Sequence, residues 1–483
     1  MKYILAIDQS TAGTKAALMD ETGCLTHVAR RSHTQFHPAP GRVEHDAEEI
    51  WQNVAALLCE VAGQVSLADI AGIGISNQRE TTVLWERATG KPVCHAVVWQ
   101  DVRAQSLIEA MAPCADVVHA KTGLSLSPYY SAAKAAAVFR EDPALSARAG
   151  QGEICIGTVD SYLLFRLTGG KFRVEVSNAS RTQLMNLHTC CWDRDLTEMF
   201  GLPLCALAPE ILLSDGNFGT VETIPALRGL PVLAMLGDSH AALFGHGCVE
   251  PGMTKATYGT GSSIMMNVGD QPRMSGNGLS ASVAYGEGGR VLYALEGNVT
   301  SSADTLMWLK DEVGLISSMD DLGEAAQLSS SDGVYLVPAF SGLGAPWFDG
   351  SARALLYGMN RGTRRAHILY AALESIAQQN ADVLSFMGQE ASQPVRCLMA
   401  DGGATVNPLL MQLQSDLAAC RVRVSGQKEM SLLGAALMAA RHAGWPVDTL
   451  RGKAGDRQYA PQMPDEEREK RRQGWLDAVR RCR

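Results

Sequence analysis

Tyr3-Ile-Leu-Ala-Ile-Asp8-Gln-Ser-Thr-Ala-Gly-Thr-Lys15-Ala-Ala-Leu-Met-Asp20 consists of two apolar runs of strand character joined by a turn of small hydroxyl residues and glycine. A carboxylate, Asp8, closes the first run. Backbone N–H groups approach phosphate oxygens closely only where side chains are small. Ser10, Thr11 and Thr14 would add hydroxyl donors, and a carboxylate at the strand end can hold the water shell of Mg²⁺. A similar build recurs in the second half, where Lys255-Ala-Thr-Tyr-Gly259-Thr260-Gly261-Ser262-Ser263-Ile-Met-Met-Asn267 again reads strand, small-residue turn, strand. One glycine-rich hairpin is ordinarily only a turn. Two of the same build, one in each half, predict a two-lobed enzyme whose lobes each aim a hairpin at a shared nucleotide phosphate.

Bulk properties agree with a small-molecule enzyme. A chain of 483 residues is too long for one ordinary core and predicts two or three domains. Its net charge of −9 offers no basic stripe for nucleic acid. The 12 cysteines include no C-x-x-C pair, and the adjacent Cys190-Cys191 cannot easily bridge each other, so scattered reduced thiols and no zinc site are expected. The apolar run before Asp8 is too short for a signal-peptide core, and no uninterrupted apolar span reaches about 18 residues. A soluble, cytoplasmic protein with neither nucleic-acid nor membrane partners is the expectation.

Strand patterns at Tyr3–Asp8, Lys15–Asp20, Ile70–Ser76, Val83–Glu86 and Ala96–Trp99 alternate with helical patterns such as Ala47–Gln64 and Ala132–Arg140, an α/β order. Asp46, Glu48 and Glu49 supply carboxylates to the start of the first helix. Gly245-His-Gly-Cys-Val-Glu-Pro-Gly252 interrupts the pattern just before the second hairpin, so the chain divides into domains 1–246 and 253–483. From Pro464 a charged run followed by Trp475, Leu476 and Val479 predicts a surface helix docked by its apolar end, its charges forming a solvated face.

Leu233-Ala-Met-Leu-Gly237-Asp238-Ser239-His240-Ala-Ala-Leu-Phe-Gly245 reads as a buried strand, a glycine turn and a helix beginning at the acid. Asp238 is either a helix N-cap, worth about 1 kcal/mol, or a general base taking the proton of an alcohol that attacks a phosphoryl group. A third acidic turn, Cys397-Leu-Met-Ala-Asp401-Gly402-Gly403-Ala404-Thr-Val-Asn407, offers a flat backbone surface on which a purine could lie.

Three such turns, with the acid between the first and the last, resemble the actin, Hsp70 and sugar-kinase superfamily. Asn77-Gln78-Arg79-Glu80-Thr81-Thr82, Ala96-Val-Val-Trp99-Gln100-Asp101, Ser127-Pro128-Tyr129, Gly157-Thr158-Val159-Asp160, Asn178-Ala179-Ser180-Arg181-Thr182 and Val337-Pro338-Ala339-Phe340-Ser341-Gly342-Leu343-Gly344-Ala345-Pro346 resemble the FGGY carbohydrate kinases, their glycerol kinase branch above all. The likeness covers nearly the whole chain. Residues 354–374 also fit the family's C-terminal signature, whereas Tyr129–Ala137 fits the N-terminal one only in part, its tryptophan being absent.

The resemblance implies two ribonuclease-H-like domains with an ATP cleft between them, ATP and Mg²⁺ as cofactors, and transfer of a phosphoryl group to a primary hydroxyl of a small polyol or sugar. Arg79 and Glu80 would pair with vicinal hydroxyls, Tyr129 would add a phenolic hydrogen bond, Trp99 an apolar wall, and Asp238 with Ser239 would complete the substrate site. Thr11, Ala12, Gly13 and Lys15 would surround the β- and γ-phosphates, Thr260 the transferred group, and Gly403 with Asn407 the adenosine. Asp8 and Asp238 would face Mg²⁺ through water. A homodimer or homotetramer is in keeping with the family. The rival readings are a polyol-independent ATPase of the Hsp70 or actin type, which has no use for Arg79, Glu80 and Trp99, and a sugar-binding regulator that has lost turnover.

The departures bear on the substrate. Glycerol kinases follow the catalytic Asp with a substrate-binding Gln and place a Phe after the second phosphate turn; this chain has Ser239 and Ser263. Both changes remove bulk, so a wider and wetter pocket is expected, suited to glycerol or to a four- to five-carbon polyol or ketose such as erythritol, xylulose or ribulose. Lys15 stands for the usual arginine and keeps the charge without the planar fork. Ala303 stands where a nucleotide-contacting glycine is common. Between Gly219 and Pro225 no glycine-rich, arginine-containing loop exists to clamp a sugar bisphosphate inhibitor.

Overall fold

The computed structural model describes residues 1–450 and 455–483. In the first lobe, strands β1 (Tyr3–Gln9), β2 (Gly13–Asp20), β3 (Leu25–Ser32), β4 (Ile70–Asn77) and β5 (Val232–Gly237) form one sheet in the order β5-β4-β1-β2-β3. Helices α1 (Ala47–Ala62), α2 (Val159–Thr168) and α3 (Asp238–Gly245) belong to the same half. β1 runs antiparallel to β2, with Asp8 opposite Lys15, and parallel to β4, with Asp8 opposite Ser76.

The sequence of β1 is a continuous apolar run because both of its faces are covered. Leu5 and Ile7 pack with Ile50, Val54, Leu57 and Leu58 of α1, whereas Ile4 and Ala6 lie in a second core with Ala241 and Phe244 of α3. Helix α1 forms where its pattern predicts, with Asp46 as its cap accepting from Glu48 N at 2.8 Å. It ends at Ala62, since Gly63 follows. The strand expected at Ala96–Trp99 is shorter, Ala96–Val97, and Trp99 lies in the bend after it.

The second lobe repeats the plan. Strands β6 (Met253–Tyr258), β7 (Ser262–Gly269), β8 (Ser280–Glu287), β9 (Arg290–Val299), β10 (Cys397–Asp401), β11 (Arg421–Val424) and β12 (Arg457–Tyr459) are ordered β8-β9-β7-β6-β10-β11-β12. The hairpin β6–β7 is antiparallel and β6 is parallel to β10, so β9-β7-β6-β10-β11 matches β3-β2-β1-β4-β5 strand for strand. The resemblance between the two hairpins in the sequence is thus a repeat of topology.

Helices α4 (Arg365–Glu390), α5 (Pro408–Ala418), α6 (Met430–His442) and α7 (Asp465–Cys482) complete this half. Leu432, Leu433, Ala436 and Leu437 of α6 share one core with Ile4 and Ala6 of β1 and with Ala241 of α3, so α6 ties the lobes together. Gly434 permits the approach, since a Cβ there would meet the Ala241 carbonyl at 1.8 Å. Helix α7 docks by Trp475 and Val479, and the Trp475 indole donates to Asp382 at 2.7 Å. Its charges are not all solvated as expected: Arg471 is buried and donates to Ser329 O, and Arg472 pairs with Asp382. Among the described residues no helix is long and apolar enough to cross a membrane.

Candidate active site

The first hairpin turn and the turns after β4 and β5 lie at one edge of the first sheet, and the second hairpin turn and the turn after β10 at one edge of the second; Arg79 meets Glu296 between them. Asp8 is buried near the end of β1 and accepts from Ser76 Oγ of β4 at 2.9 Å. Burial, assisted by the nearby Asp238, pushes its carboxyl up to about 7. Asp238 follows β5 as the first residue of α3. Its carboxylate does not cap that helix in the ordinary way: Gly237 holds the cap position, and Asp238 Oδ1 accepts from Ser239 N at 2.6 Å and from Arg79 Nε at 3.1 Å. About a third of the Asp238 side chain remains exposed to the cleft (35%), which a capping role does not require.

Arg79 and Glu80 are buried and each is held by a partner from elsewhere. The Arg79 guanidinium forms a two-pronged pair with Glu296 of β9, at 2.9 and 2.8 Å. Arg181 reaches both Glu80, at 2.5 Å, and Glu296, at 3.0 Å. A ladder of alternating charge, Glu80, Arg181, Glu296, Arg79, Asp238, therefore joins the lobes, with Glu296 of the second lobe held between two arginines of the first. Burial alone would raise the Glu296 carboxyl, but Arg79 and Arg181 hold it far below the usual range. Glu80 has a φ of 58°, the left-handed region that a non-glycine residue enters at a cost.

Trp99 is not only a wall: its indole donates to Thr11 Oγ1 at 2.9 Å, and its N–H donates to Thr81 Oγ1 at 3.2 Å. Thr81 donates in turn to Gln78 Oε1 at 2.8 Å, and Gln78 Nε2 donates to Gln9 Oε1 at 3.0 Å. Trp99 is thus tied through Thr81 and Gln78 to the end of β1 and directly to the first turn. Tyr129 packs edge-on against Trp99 with centroids 5.7 Å apart. Beneath it lies Lys134, which sequence reading missed; burial pulls its ammonium down to about 7, and it donates to the Pro128 and Tyr129 carbonyls.

Of the three hydroxyls expected to line the first turn, Thr11, whose oxygen accepts from Trp99, keeps its O–H to donate. Ser10 Oγ closes its own turn by donating to Gly13 O at 2.9 Å, and Thr14 is fully buried within β2. Ala12 is exposed at the tip. Gly13 has a reason besides phosphate approach, since a Cβ there would meet the Arg31 carbonyl at 2.5 Å. Lys15 Nζ lies 2.5 Å from Glu429 Oε2, on the residue before α6, and each side chain is about one-third exposed (34% and 31%). Glu429 is a second residue the sequence reading did not name.

On the second lobe Thr260 is exposed, and its carbonyl accepts from Ser302 N at 2.8 Å. Ala303 N donates to Gly259 O at 3.0 Å, so the backbone at the Ala303 position braces the turn. Gly402 has a φ of 96° and no room for a Cβ, whereas a Cβ on Gly403 would meet nothing within 4 Å. The flat, open surface expected here is therefore at Gly403. Asn407 caps α5 by accepting from Leu410 N at 3.0 Å, leaving its amide N–H groups uncommitted by that cap.

Buried and partly exposed charge gathered on turns at the strand ends of two repeated α/β sheets marks the active site of an enzyme, whose class its relatives name. The sequence model described as the FGGY family of carbohydrate kinases, N-terminal domain, matches residues 3–245, and that of the C-terminal domain matches residues 254–443. The chain is 43% identical to a glycerol kinase of Shewanella amazonensis, with 99% of each chain covered. It is 43% identical to a glycerol kinase of Halorhodospira halophila, covering 99% of this chain and 96% of the relative. Among solved structures, Plasmodium falciparum glycerol kinase with ADP superposes with a TM-score of 0.94 at 33% identity, covering 100% of this chain and 98% of that one. A ligand-bound xylulose kinase from Lactobacillus acidophilus shares the fold with a TM-score of 0.89 at 19% identity, over 100% and 97% of the two chains. The protein belongs to the FGGY family of carbohydrate kinases. It is a phosphotransferase with an alcohol group as acceptor, using ATP and Mg²⁺ on a small sugar or polyol.

Proposed function

We propose that this kinase transfers the γ-phosphoryl group of ATP to a primary hydroxyl of a four- or five-carbon polyol or ketose in preference to glycerol. The observation that carries the chemistry is Asp238, a partly exposed carboxylate fixed by Arg79 Nε and by Ser239 N at the cleft end of β5. A base in that position accepts the hydroxyl proton as the new O–P bond forms, while the bond from the γ-phosphorus to the β,γ-bridging oxygen breaks and its electron pair leaves on ADP. Arg79 and Glu80 grip the two hydroxyls nearest the reacting end, with Tyr129 and Trp99 against the carbons. Thr11, Ala12, Gly13 and Lys15 take the β- and γ-phosphates, Thr260 the group in transfer, and Gly403 with Asn407 the adenosine.

Asp8 fits a hydrated cation because it is a buried carboxylate with a single side-chain donor, Ser76, and burial disfavours its charge. Asp8 and Asp238 would hold the ion's water shell, and the ion neutralises phosphate charge when bound. The functional domains are residues 1–246 and 253–483.

The preference for a longer acceptor rests on Ser239 and Ser263, both partly exposed and both small. A glycerol molecule leaves such a pocket under-packed, and a missing methylene-sized contact costs roughly 1–3 kcal/mol, or 10–200-fold in kcat/KM. Initial rates on glycerol, erythritol, xylulose and ribulose test the reading. Erythritol or a ketose is expected to exceed glycerol in kcat/KM, and Ser263→Phe to narrow the gap. Glycerol as the best substrate of the unaltered enzyme overturns it, leaving the activity that the 43% identity to glycerol kinases favours.

A further inference from the structure

The register of the second sheet puts two rows of side chains on one face. Asp401, Thr257, Ser263 and Asn298 lie opposite one another in sequence across β10, β6, β7 and β9. Met399, Lys255, Met265 and Glu296 form the adjacent row on the same four strands. Glu296 of that row holds Arg79, so this is the face that meets the substrate side of the first lobe.

Lys255 stands out in it. The residue is only 1% exposed, and its ammonium contacts two hydroxyls, Thr257 Oγ1 and Ser263 Oγ, each at 3.3 Å. Among the described residues it makes no ion pair, although its burial holds the ammonium below its ordinary range. An ammonium has three N–H groups, so one donor is left over after those two bonds. A buried cation with a spare donor is costly to keep unless something else occupies it. Ser263 bridges the ammonium and Glu296: its Oγ accepts from Lys255 at 3.3 Å and donates to Glu296 Oε1 at 3.5 Å. Being small and partly exposed, it leaves the ammonium within reach of the cleft.

We propose that Lys255 is the far polar wall of the acceptor pocket and selects a substrate that carries a hydroxyl on a fourth or fifth carbon, beyond the two gripped by Arg79 and Glu80. The proposal rests on the wide-pocket reading above and sharpens it: width alone admits more carbon, whereas Lys255 demands oxygen on it. A neutral hydroxyl suits the site better than a carboxylate. Asp401, Glu296 and Asp238 already act on the Lys255 ammonium, and an added anion among these carboxylates would be repelled.

The test pairs acceptors that differ only at that oxygen. Erythritol and butane-1,2,3-triol have the same carbon chain, but the second lacks the terminal hydroxyl. The unaltered enzyme should prefer erythritol by about tenfold or more in kcat/KM, the scale of one hydrogen bond to a charged group. Lys255→Met should abolish that preference. Equal kcat/KM for the two triol and tetritol acceptors overturns the assignment even if both beat glycerol, in which case the wide-pocket reading stands alone. If glycerol beats both, the wide-pocket reading itself fails. A Lys255→Met variant that loses the same factor on every acceptor also overturns it, because a structural or phosphate-side role would act that way. Should that variant not fold, Lys255→Arg keeps the cation but moves its donors and must change the preference; an unaltered preference refutes the role. A higher kcat/KM for erythronate than for erythritol refutes the choice of a neutral hydroxyl.

Discussion

Glu296→Gln probes the ladder that joins the lobes. The glutamate is 2% exposed and carries two guanidinium groups, Arg79 through contacts of 2.9 and 2.8 Å and Arg181 at 3.0 Å. Glutamine keeps the shape and one acceptor oxygen, but it presents an NH₂ group to the other guanidinium and removes the only carboxylate the two arginines share. Breaking a buried pair in this way costs about 3–5 kcal/mol, because the charge left behind stays out of water. For a lobe of ordinary domain size that corresponds to a fall in Tm of roughly 10 °C. Catalysis should suffer separately, since Arg79 also supports Asp238 through Nε at 3.1 Å. A displacement of about 1 Å at such a group costs about 10²-fold. The expected split is a loss of about 10²-fold in kcat/KM for the acceptor, with KM for ATP within about twofold of normal, because Glu296 touches no residue of the phosphate turns. Differential scanning calorimetry and initial-rate kinetics measure both. A variant with unchanged Tm and unchanged acceptor kcat/KM would show that the ladder neither holds the lobes nor aims Arg79.

Three further outcomes follow from the site. Asp238→Asn should lower kcat by about 10²-fold or more with ATP affinity nearly intact, the usual range for a general base, and normal turnover would dismiss that role. Because burial pushes Asp8 up to about 7 from 3.8, the metal-free fold binds its proton more tightly than the unfolded chain does. Its contribution, at most about 4 kcal/mol, is complete below about pH 4 and lost as pH rises through about 7, so metal-free Tm should fall between about pH 4 and 7, level off above that, and lose this slope in Asp8→Asn; an unaltered slope contradicts it. Glu429→Gln should lower KM for ATP by up to about fivefold, since a pair with Lys15 that is one-third exposed is worth only about 1 kcal/mol and the carboxylate repels triphosphate; a rise in KM would instead mark Glu429 as a holder of the metal's water shell.

What could be read from the sequence was local. The hairpin at Ser10–Gly13, the turn at Asp238 and the Gly402-Gly403 surface each announce themselves within a dozen residues, since turn chemistry is set by neighbours in the chain. The central strands were equally legible, because burial on both faces leaves an unbroken apolar run such as Tyr3–Ile7. Partners far apart in the chain were not legible. Arg79 meets Glu296 across 217 positions, and Lys15 meets Glu429 across 414. A lone Glu within the apolar strand Arg290–Val299 looks like an irregularity until the register turns it toward Arg79. Ser10 and Thr14 erred in the other direction: both are the right residue type for a phosphate grip, but one closes its own turn and the other is buried within the sheet. Which hydroxyl of a small-residue turn is free depends on backbone geometry that composition does not encode.

Two of the charge pairs that span the lobes, Lys15–Glu429 and Arg79–Glu296, differ in what a ligand must do to them. Lys15 and Glu429 are each about one-third exposed, so water screens their attraction and a triphosphate can take the lysine at little cost. Arg79 and Glu296 are buried, joined by two contacts, and sit in a ladder with Arg181, so opening them would strand several charges at once. The phosphate end of the cleft is therefore the end that can exchange partners, and the acceptor end is the fixed one. Helix α6 reinforces that asymmetry, because Glu429 stands at its N-terminal end while its length is packed on the first sheet and against α3. On the assignment proposed above, Glu429 sits beside the core that joins the lobes, whereas the expected acceptor grip is fixed by buried pairs. If those proposed roles hold, such a division puts affinity for the cofactor at the adjustable end and discrimination among acceptors at the end held by buried charge.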